Sequence, residues 1–222
     1  MKGFDRDALT LALQAGLQAL VLDLQPQQLE RLLDYLALLA KWNGVYNLTA
    51  VRDPAQMVIQ HLLDSLTVVS AFDGAKNILD VGAGGGLPGM VLAIARPDMR
   101  VSMIDTVHKK TAFLTQVKAE LGLANVTVYT ARVEQLQVAQ KFDVITSRAF
   151  AELSDFVNWS QHLLADSGRF IAMKGLAPDQ EIAKLPPGWR VAEVRPLQVP
   201  GMQAERHLIF IENASRETVN NP

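Results

Sequence analysis

The sequence predicts an α/β fold in which a mostly parallel seven-stranded sheet is covered on both faces by helices and preceded by a helical extension. Three observations predict it. Leucines recur at helical spacing through the first 70 residues or so, short β-rich runs alternate with helical stretches from about residue 76, and the last two β-rich runs are joined by a short turn.

In the extension, Leu9, Leu13, Leu17, Leu20 and Leu24 recur every three or four residues, as do Leu29, Leu32, Leu33, Leu36 and Leu39. They give two amphipathic helices separated near Pro26. Gly44 is expected to end the second, in a polar loop from Trp42 to Thr49. Asp53-Pro54 has the form of an N-cap followed by proline at the first helical position, opening a helix to about Ser70 with Val58, Leu62, Leu66 and Val69 on its apolar side. Strands are then predicted at 77–81, 100–104, 125–129, 142–146 and 169–173, separated by helical segments near 88–96, 108–121, 132–137 and 153–165. Such alternation makes βαβ units and a parallel sheet. Runs 190–198 and 206–212, joined by a turn containing Pro200-Gly201, predict an antiparallel hairpin at one edge. Neither an internal repeat nor a linker interrupts the chain. Residues 1–70 are therefore expected to pack as an extension on a 71–212 core, with a polar, disordered tail at 213–222.

The 222 residues are 49% hydrophobic and 20% charged, enough apolar material for a substantial core. No window holds the roughly 20 apolar residues that span a bilayer. Asp5, Arg6, Asp7, Gln14 and Gln18 interrupt the leading segment, so a soluble, unprocessed, cytoplasmic chain is expected, without a metal and as a monomer. The absence of cysteine excludes disulfides, thiolate metal sites and cysteine nucleophiles. A net charge of -2 creates no overall field for nucleic acid, so such a partner needs a local basic patch.

Chemistry concentrates in Asp80-Val81-Gly82-Ala83-Gly84-Gly85-Gly86-Leu87-Pro88-Gly89, between a predicted strand and a predicted helix. Glycines there let the backbone approach a ligand closely, and the following helix offers unpaired N–H groups. The G-x-G-x-x-G at Gly84, Gly86 and Gly89 is shared with dinucleotide-binding folds and is weak by itself. Asp80, at the strand end, would repel a pyrophosphate but suits the ammonium or sulfonium side of S-adenosylmethionine. Asp105, after the next strand, stands where an acid accepts from both ribose hydroxyls. The loop and its two acids are therefore predicted to bind S-adenosylmethionine. Arg132-Val133-Glu134, after the third strand, is expected to offer backbone contacts to adenine; the plainer alternative is an ordinary helix start.

The methyl acceptor is constrained by what is missing. Enzymes that methylate exocyclic amines of bases commonly place Asn or Asp and then Pro-Pro-aromatic after the fourth strand, and Thr146-Ser147-Arg148-Ala149-Phe150 lacks that motif. Methylation of cytosine C5 needs a cysteine nucleophile, which is absent. Ring nitrogens, ribose hydroxyls, proteins and small molecules remain. Guanine N7 carries an in-plane lone pair and needs no general base, so alignment and desolvation suffice and no acid–base residue is expected. His61, Asp64 and Ser65 share a helix face at i, i+3 and i+4 in the manner of a hydrolase triad, yet no nucleophile elbow accompanies them. A structural polar cluster, or part of the cofactor-pocket wall, is the preferred reading. Trp159 and Trp189 read as core or edge residues, whereas Trp42 and Tyr46, beside a polar loop, are candidates to stack on a base.

Together these residues resemble the RsmG (GidB) family of bacterial small-subunit ribosomal RNA guanine-N7 methyltransferases, over nearly everything from Leu29 to Ile211. The resemblance is carried by Trp42-Asn43, Asn47-Leu48-Thr49, His61-Leu62-Leu63-Asp64-Ser65-Leu66, the glycine loop, and Asp105 with Lys109-Lys110 and Phe113-Leu114. Arg132-Val133-Glu134, Ser147-Arg148-Ala149-Phe150, Lys174-Gly175 and Glu205-Arg206-His207-Leu208 complete it. It implies a Rossmann-like class I S-adenosylmethionine-dependent methyltransferase with an N-terminal helical extension, acting on one guanine in a 16S rRNA loop near the decoding centre and releasing S-adenosylhomocysteine. Cofactor contacts are implied at Gly82, Leu87, Val133, Glu134 and Arg148. The Arg148 guanidinium is expected on the cofactor carboxylate or on an RNA phosphate, because proximity to a sulfonium is repulsive. Lys109, Lys110, Lys174, Arg206 and His207 are expected to line an RNA-facing rim. Two alternatives stay open: a methyltransferase for a small molecule, and a non-catalytic RNA-binding protein regulated by S-adenosylmethionine.

Overall fold

A computed structural model describes residues 4–215. Helix α1 (Arg6–Ala19) is opened by Asp5, whose carboxylate accepts from the Ala8 N–H at 3.1 Å, and it buries Leu9, Leu13 and Leu17. It closes in a Schellman-type turn: the Leu22 N–H reaches Leu17 O at 3.0 Å and the Val21 N–H reaches Gln18 O at 3.1 Å. Val21 holds a left-handed φ of 53° there while 92% exposed. A β-branched side chain in that conformation costs roughly 1–2 kcal/mol with no packing to offset it. Val21→Gly is therefore expected to raise the melting temperature by about 2–4 °C. Thermal unfolding reads the shift, and an unchanged midpoint would mean the turn stores no strain.

Helix α2 (Pro26–Tyr46) places proline where no N–H is needed and buries Leu32, Leu33, Tyr35, Leu36 and Leu39. It runs through Gly44 rather than ending there. The stop is Asn47, which takes the left-handed conformation at φ 50° and donates its N–H to Asn43 O. Asparagine tolerates that conformation better than most residues, so it can end the helix three residues beyond Gly44. Asp53 caps the next helix as expected, accepting from Ala55 and Gln56 N–H, with Pro54 at the first position. This helix is built from α3 (Pro54–Met57), a π-helical stretch (Val58–Leu63) and α4 (Asp64–Leu66), and a 3-10 turn (Val69–Phe72) follows. Single π turns are concentrated at functional sites, and this one carries His61 and leads into Asp64.

The strands are β1 (Asn77–Val81), β2 (Arg100–Asp105), β3 (Val126–Thr130), β4 (Phe142–Arg148), β5 (Leu164–Lys174), β6 (Trp189–Pro196) and β7 (His207–Asn213). Their spatial order is β3-β2-β1-β4-β5-β7-β6. The first five run parallel, and β7 pairs antiparallel with both β5 and β6, so the expected edge hairpin inserts its second strand against the parallel sheet. Helices α5 (Gly89–Ala95) and α6 (His108–Glu120) cover one face, α7 (Leu153–Ser160) the other, and α8 (Asp179–Ile182) follows β5.

Two helix expectations are corrected. Segment 132–137 forms only a 3-10 turn, Val133–Gln135, of which Val133 alone is buried, too little apolar surface to hold a longer helix. The helix expected over 153–165 ends at Ser160, because Leu164 already pairs with Phe142 at the start of β5. The tail expected at 213–222 begins inside β7, and residues 216–222 lie outside the described residues.

The extension belongs to the same packed interior as the sheet. Leu13, Leu33 and Leu36 share a buried cluster with Met90, Ile94 and Leu114, while Leu79, Ile145, Phe156 and Phe170 form the cluster on the opposite face. Gln28 locks the extension to α5 by donating to Ile94 O and Ala95 O at 3.0 and 2.8 Å, which satisfies carbonyls left open at that helix end. Among the described residues no helix is long and apolar enough to cross a membrane.

Candidate active site

The strand order reverses between β1 and β4, and a crevice at the carboxyl ends of the strands forms at such a point. The loop after β1 enters it with Gly82, Gly84 and Gly86 at φ 69°, 56° and 95°. Space is equally tight, since a Cβ on Gly82 would stand 2.3 Å from the Phe150 side chain. The N–H groups of Gly82 and Ala83 donate to Ile104 O at 2.9 and 3.1 Å and pin the loop to β2. From α2 the fully buried Tyr35 donates its hydroxyl to Gly85 O at 2.7 Å. The extension thus braces the loop directly.

Asp80 is fully buried beneath this loop. Its Oδ2 accepts from the Gly89 N–H at 2.8 Å and its Oδ1 has no partner. Burial pushes the carboxyl up to about 7, with the Gly89 N–H pulling the other way. Asp105 accepts from the Gly84 N–H at 3.1 Å and from the Val107 N–H at 2.8 Å, and Lys110 Nζ lies 3.5 Å away. Asp105 lines a cavity of about 410 Å³ together with Gly82, Val133, Glu134, Phe150 and Trp159. That volume lies in the range of small-molecule sites. An unpartnered buried carboxylate oxygen, a cradle with no room for side chains and an acid on the wall fit S-adenosylmethionine.

A second cavity of about 370 Å³ adjoins the first, and Ala149 lines both. Ala149 is left-handed at φ 52°, a kink that sends Arg148 into the wall of the second cavity and Phe150 into the wall of the first. Arg148 donates to Gln60 O at 3.0 Å and to Asp64 Oδ2 at 2.9 Å, and Arg206 Nε donates to Asp64 Oδ1 at 3.1 Å. His61 lines the same cavity. Its Nε2 is 2.9 Å from the Thr49 hydroxyl, and its Nδ1 is buried without a partner. Burial, and after it the Arg148 charge, lowers the His61 pKa to about 4, so the ring is neutral near pH 7.

The Asp80 and His61 shifts act on stability with opposite signs. Between about pH 4 and 7 Asp80 is protonated when folded and ionised when unfolded, so its contribution is full at low pH and is lost as pH rises through 7. His61 is neutral when folded and protonated when unfolded between about pH 4 and 6.5, so its contribution is lost as pH falls. Asp80→Asn removes only the first. The variant is expected to gain on wild type by up to about 1.4 kcal/mol per pH unit from about pH 4 to 7, in urea unfolding of cofactor-free protein. Parallel stability curves would show that Asp80 does not titrate in this window.

A family model described as rRNA small subunit methyltransferase G matches residues 28–209. The chain belongs to this family. It is 73% identical over 216 residues to the ribosomal RNA small subunit methyltransferase G of Janthinobacterium sp. (strain Marseille), across 96% of this chain and 98% of that relative. With the protein of the same name from Chromobacterium violaceum it shares 57% identity over 200 residues, across 90% and 96% of the two chains. Among solved structures, the glycopeptide N-methyltransferase MtfA matches with a TM-score of 0.60 at 12% identity, over 72% of this chain and 99% of that one. The N-methyltransferase NodS from Bradyrhizobium japonicum WM9, in complex with S-adenosylhomocysteine, matches with a TM-score of 0.54 at 14% identity, over 79% and 99%. These two likenesses establish the Rossmann-like class I S-adenosylmethionine-dependent methyltransferase fold.

In this rRNA small subunit methyltransferase G fold, Gly82, Asp105, Val133 and Glu134 line the first cavity, while Asp80, Gly84, Gly86 and Leu87 form the strand end and loop beside it. Arg148, expected on the cofactor carboxylate or on an RNA phosphate, lines the second cavity, which adjoins the first at Ala149. Of the expected rim, Lys110 lines the first cavity and Lys174 and Arg206 the second. Lys109 is exposed, and His207 Nδ1 lies 2.8 Å from Gly175 O. Lys174 is held by Glu181 at 2.7 Å and by Ala151 O at 2.8 Å. Trp42 packs on Tyr46 and Phe113, with ring centroids 5.2 and 5.5 Å apart, and borders the core rather than either cavity. Trp189 sits in the edge strand and Ser65 is fully buried, but Trp159 lines the first cavity. Sequence reasoning missed Tyr35, Gln60 and the roles of Phe150 and Trp159 as walls. For Phe150 the signal was its place next to Arg148 at the end of β4; Tyr35 reads only as one more apolar position of α2. Among the described residues no group of three or more His, Cys, Asp or Glu side chains is placed to hold a metal ion.

Proposed function

We propose that this chain transfers a methyl group from S-adenosylmethionine to N7 of a guanine in the 16S rRNA of the small ribosomal subunit. The observation that carries the reading is the junction at Ala149, where a cavity walled as a nucleoside site meets one walled by Arg148 and Arg206. Bound S-adenosylmethionine supplies an electrophilic methyl on its sulfonium. The chain supplies alignment. Asp105 keeps acceptor lone pairs for ribose hydroxyls, and Val133 and Glu134, which line the same cavity, are assigned to adenine through their backbone groups. Asp80, with Oδ1 unpartnered at the end of β1, is assigned to the positive end of the cofactor, whose charge would draw the carboxyl back to its ionised form. N7 carries no proton to remove, so the neutral His61 ring need not act as a base.

We assign Lys110 of the first cavity, Arg206 of the second, and Lys109 and His207 to RNA phosphates, with Lys174 held back by Glu181. In this scheme residues 1–70 brace the cofactor loop and wall the second cavity, while residues 71–212 carry the sheet and both ligand edges. A monomer acting in the cytoplasm completes the proposal.

Purified protein with methyl-labelled cofactor and small subunits lacking the modification provides the test. Label on guanine N7 of 16S rRNA, with S-adenosylhomocysteine released, is the expected result. Label only on added small molecules, or RNA binding without transfer, would replace the proposal by one of its two alternatives.

A further inference from the structure

The second cavity has a recognition element that phosphate binding does not require. Asp64 is 1% exposed and stands between the guanidiniums of Arg148 and Arg206, each of which takes one of its oxygens. A carboxylate oxygen has about two acceptor positions, so each oxygen keeps one free. A third group in the same wall, His61 Nδ1, is buried and unpartnered. Unsatisfied buried polar atoms are rare and His61 Nδ1 is one; with the spare acceptor positions of Asp64 in the same wall, it marks a place for a polar ligand. A wall meant only for phosphate would turn its cations outward and would not bury an anion between them.

A splayed base is read along its Watson–Crick edge, and guanine presents there two donors, N1–H and the N2 amine, next to one acceptor, O6. We infer that Asp64 holds the target guanine by this edge, its carboxylate accepting from N1–H and the N2 amine while a flanking guanidinium donates to O6; the inference rests on the guanine-N7 reading above. N7 lies across the ring system from N1 and N2, so a base anchored on Asp64 keeps N7 unengaged, and Ala149, which lines both cavities, marks where it can meet the methyl donor. Adenine would turn the N1 lone pair onto the carboxylate, and pyrimidines have no N7.

The same arrangement serves the chemical step. The N7 lone pair forms the new bond to the methyl carbon, the carbon–sulfur bond breaks with its electron pair left on sulfur, and no proton leaves the base. The purine becomes cationic and its N1–H more acidic. A buried carboxylate already bonded to that N1–H meets the charge as it develops, which is the condition for transition-state rather than ground-state stabilisation.

The test uses small subunits whose 16S rRNA carries guanosine, inosine or 1-methylguanosine at the nucleotide that wild type is first mapped to methylate. Inosine lacks the N2 amine, so wild-type kcat/KM is expected to fall by about tenfold or more, and 1-methylguanosine to be refused. Asp64→Asn is expected to lose activity on guanosine and to use guanosine and inosine within about threefold of each other. Calorimetric binding of S-adenosylhomocysteine shows that the variant is folded. A wild type that marks inosine and 1-methylguanosine as well as guanosine overturns the inference without the need for any variant. So does an Asp64→Asn enzyme that keeps the wild-type preference, which would leave Asp64 as a positioning residue for the two arginines. Absence of N7 methylation on the guanosine subunit overturns the earlier reading instead.

Discussion

Replacing Gly89 with alanine is expected to destabilise the chain by about 3 kcal/mol and to abolish tight cofactor binding. The added Cβ would stand 2.7 Å from Asp80 Oδ2 and 2.8 and 2.9 Å from Met103 Cγ and Sδ. Neither neighbour can step aside, because Asp80 and Met103 are both fully buried. Overpacking of this kind costs about 1–3 kcal/mol, and stretching the Gly89 N–H bond to a buried carboxyl adds about 1–2 more. Any relief has to come from moving the start of α5, and with it the loop between Gly82 and Gly86. Thermal unfolding should show a midpoint lower by roughly 6–12 °C, and titration with S-adenosylhomocysteine should show no saturable binding. Wild-type values in both measurements would mean that the turn has slack which the packing does not reveal.

Arg148→Ala is expected to lower kcat/KM for rRNA by at least about a hundredfold while changing cofactor affinity by less than about threefold. The guanidinium is bonded to Asp64 and Gln60 O in the second cavity, not to the walls of the first. Its loss leaves Asp64, 1% exposed, with Arg206 as its one remaining guanidinium, and a buried carboxylate losing half its compensation costs about 2 kcal/mol. Filter binding, single-turnover methylation and urea unfolding separate the three effects. A tenfold or greater rise in the cofactor dissociation constant would return Arg148 to the cofactor carboxylate. Unchanged methyl transfer would remove it from the site altogether.

The parallel strands were legible where an apolar run is closed by a turn, as in β1 and β4, whereas the polar first half of β5 hid its start; the glycine loop was legible because its requirements are local. Gly82, Gly84 and Gly86 sit at positive φ for reasons contained within ten residues. Helix ends were less legible. Asn47, not Gly44, ends α2, and the choice between two residues able to turn left depends on what α2 packs against. The composition of the cavity walls was not legible at all. Asp64 meets Arg148 and Arg206 across 84 and 142 residues of sequence, and Tyr35 meets Gly85 across 50. A His-Asp-Ser pattern on one helix announces polarity, but only the sheet topology shows that two arginines from distant strand ends converge on its aspartate.

The bond from Gln28 to α5 has a consequence for synthesis. The partners are 66 and 67 residues apart, so at about 5–20 residues per second Gln28 leaves the ribosome roughly 3–13 s before the carbonyls it will lock. Over that interval the leucine faces of α1 and α2 can pack on each other and on the helix from Pro54 to Leu66, but not on α5. The helical extension is therefore not secured until the strand–loop–helix unit of β1 and α5 has emerged, and until then its apolar faces are open to chaperones and to aggregation.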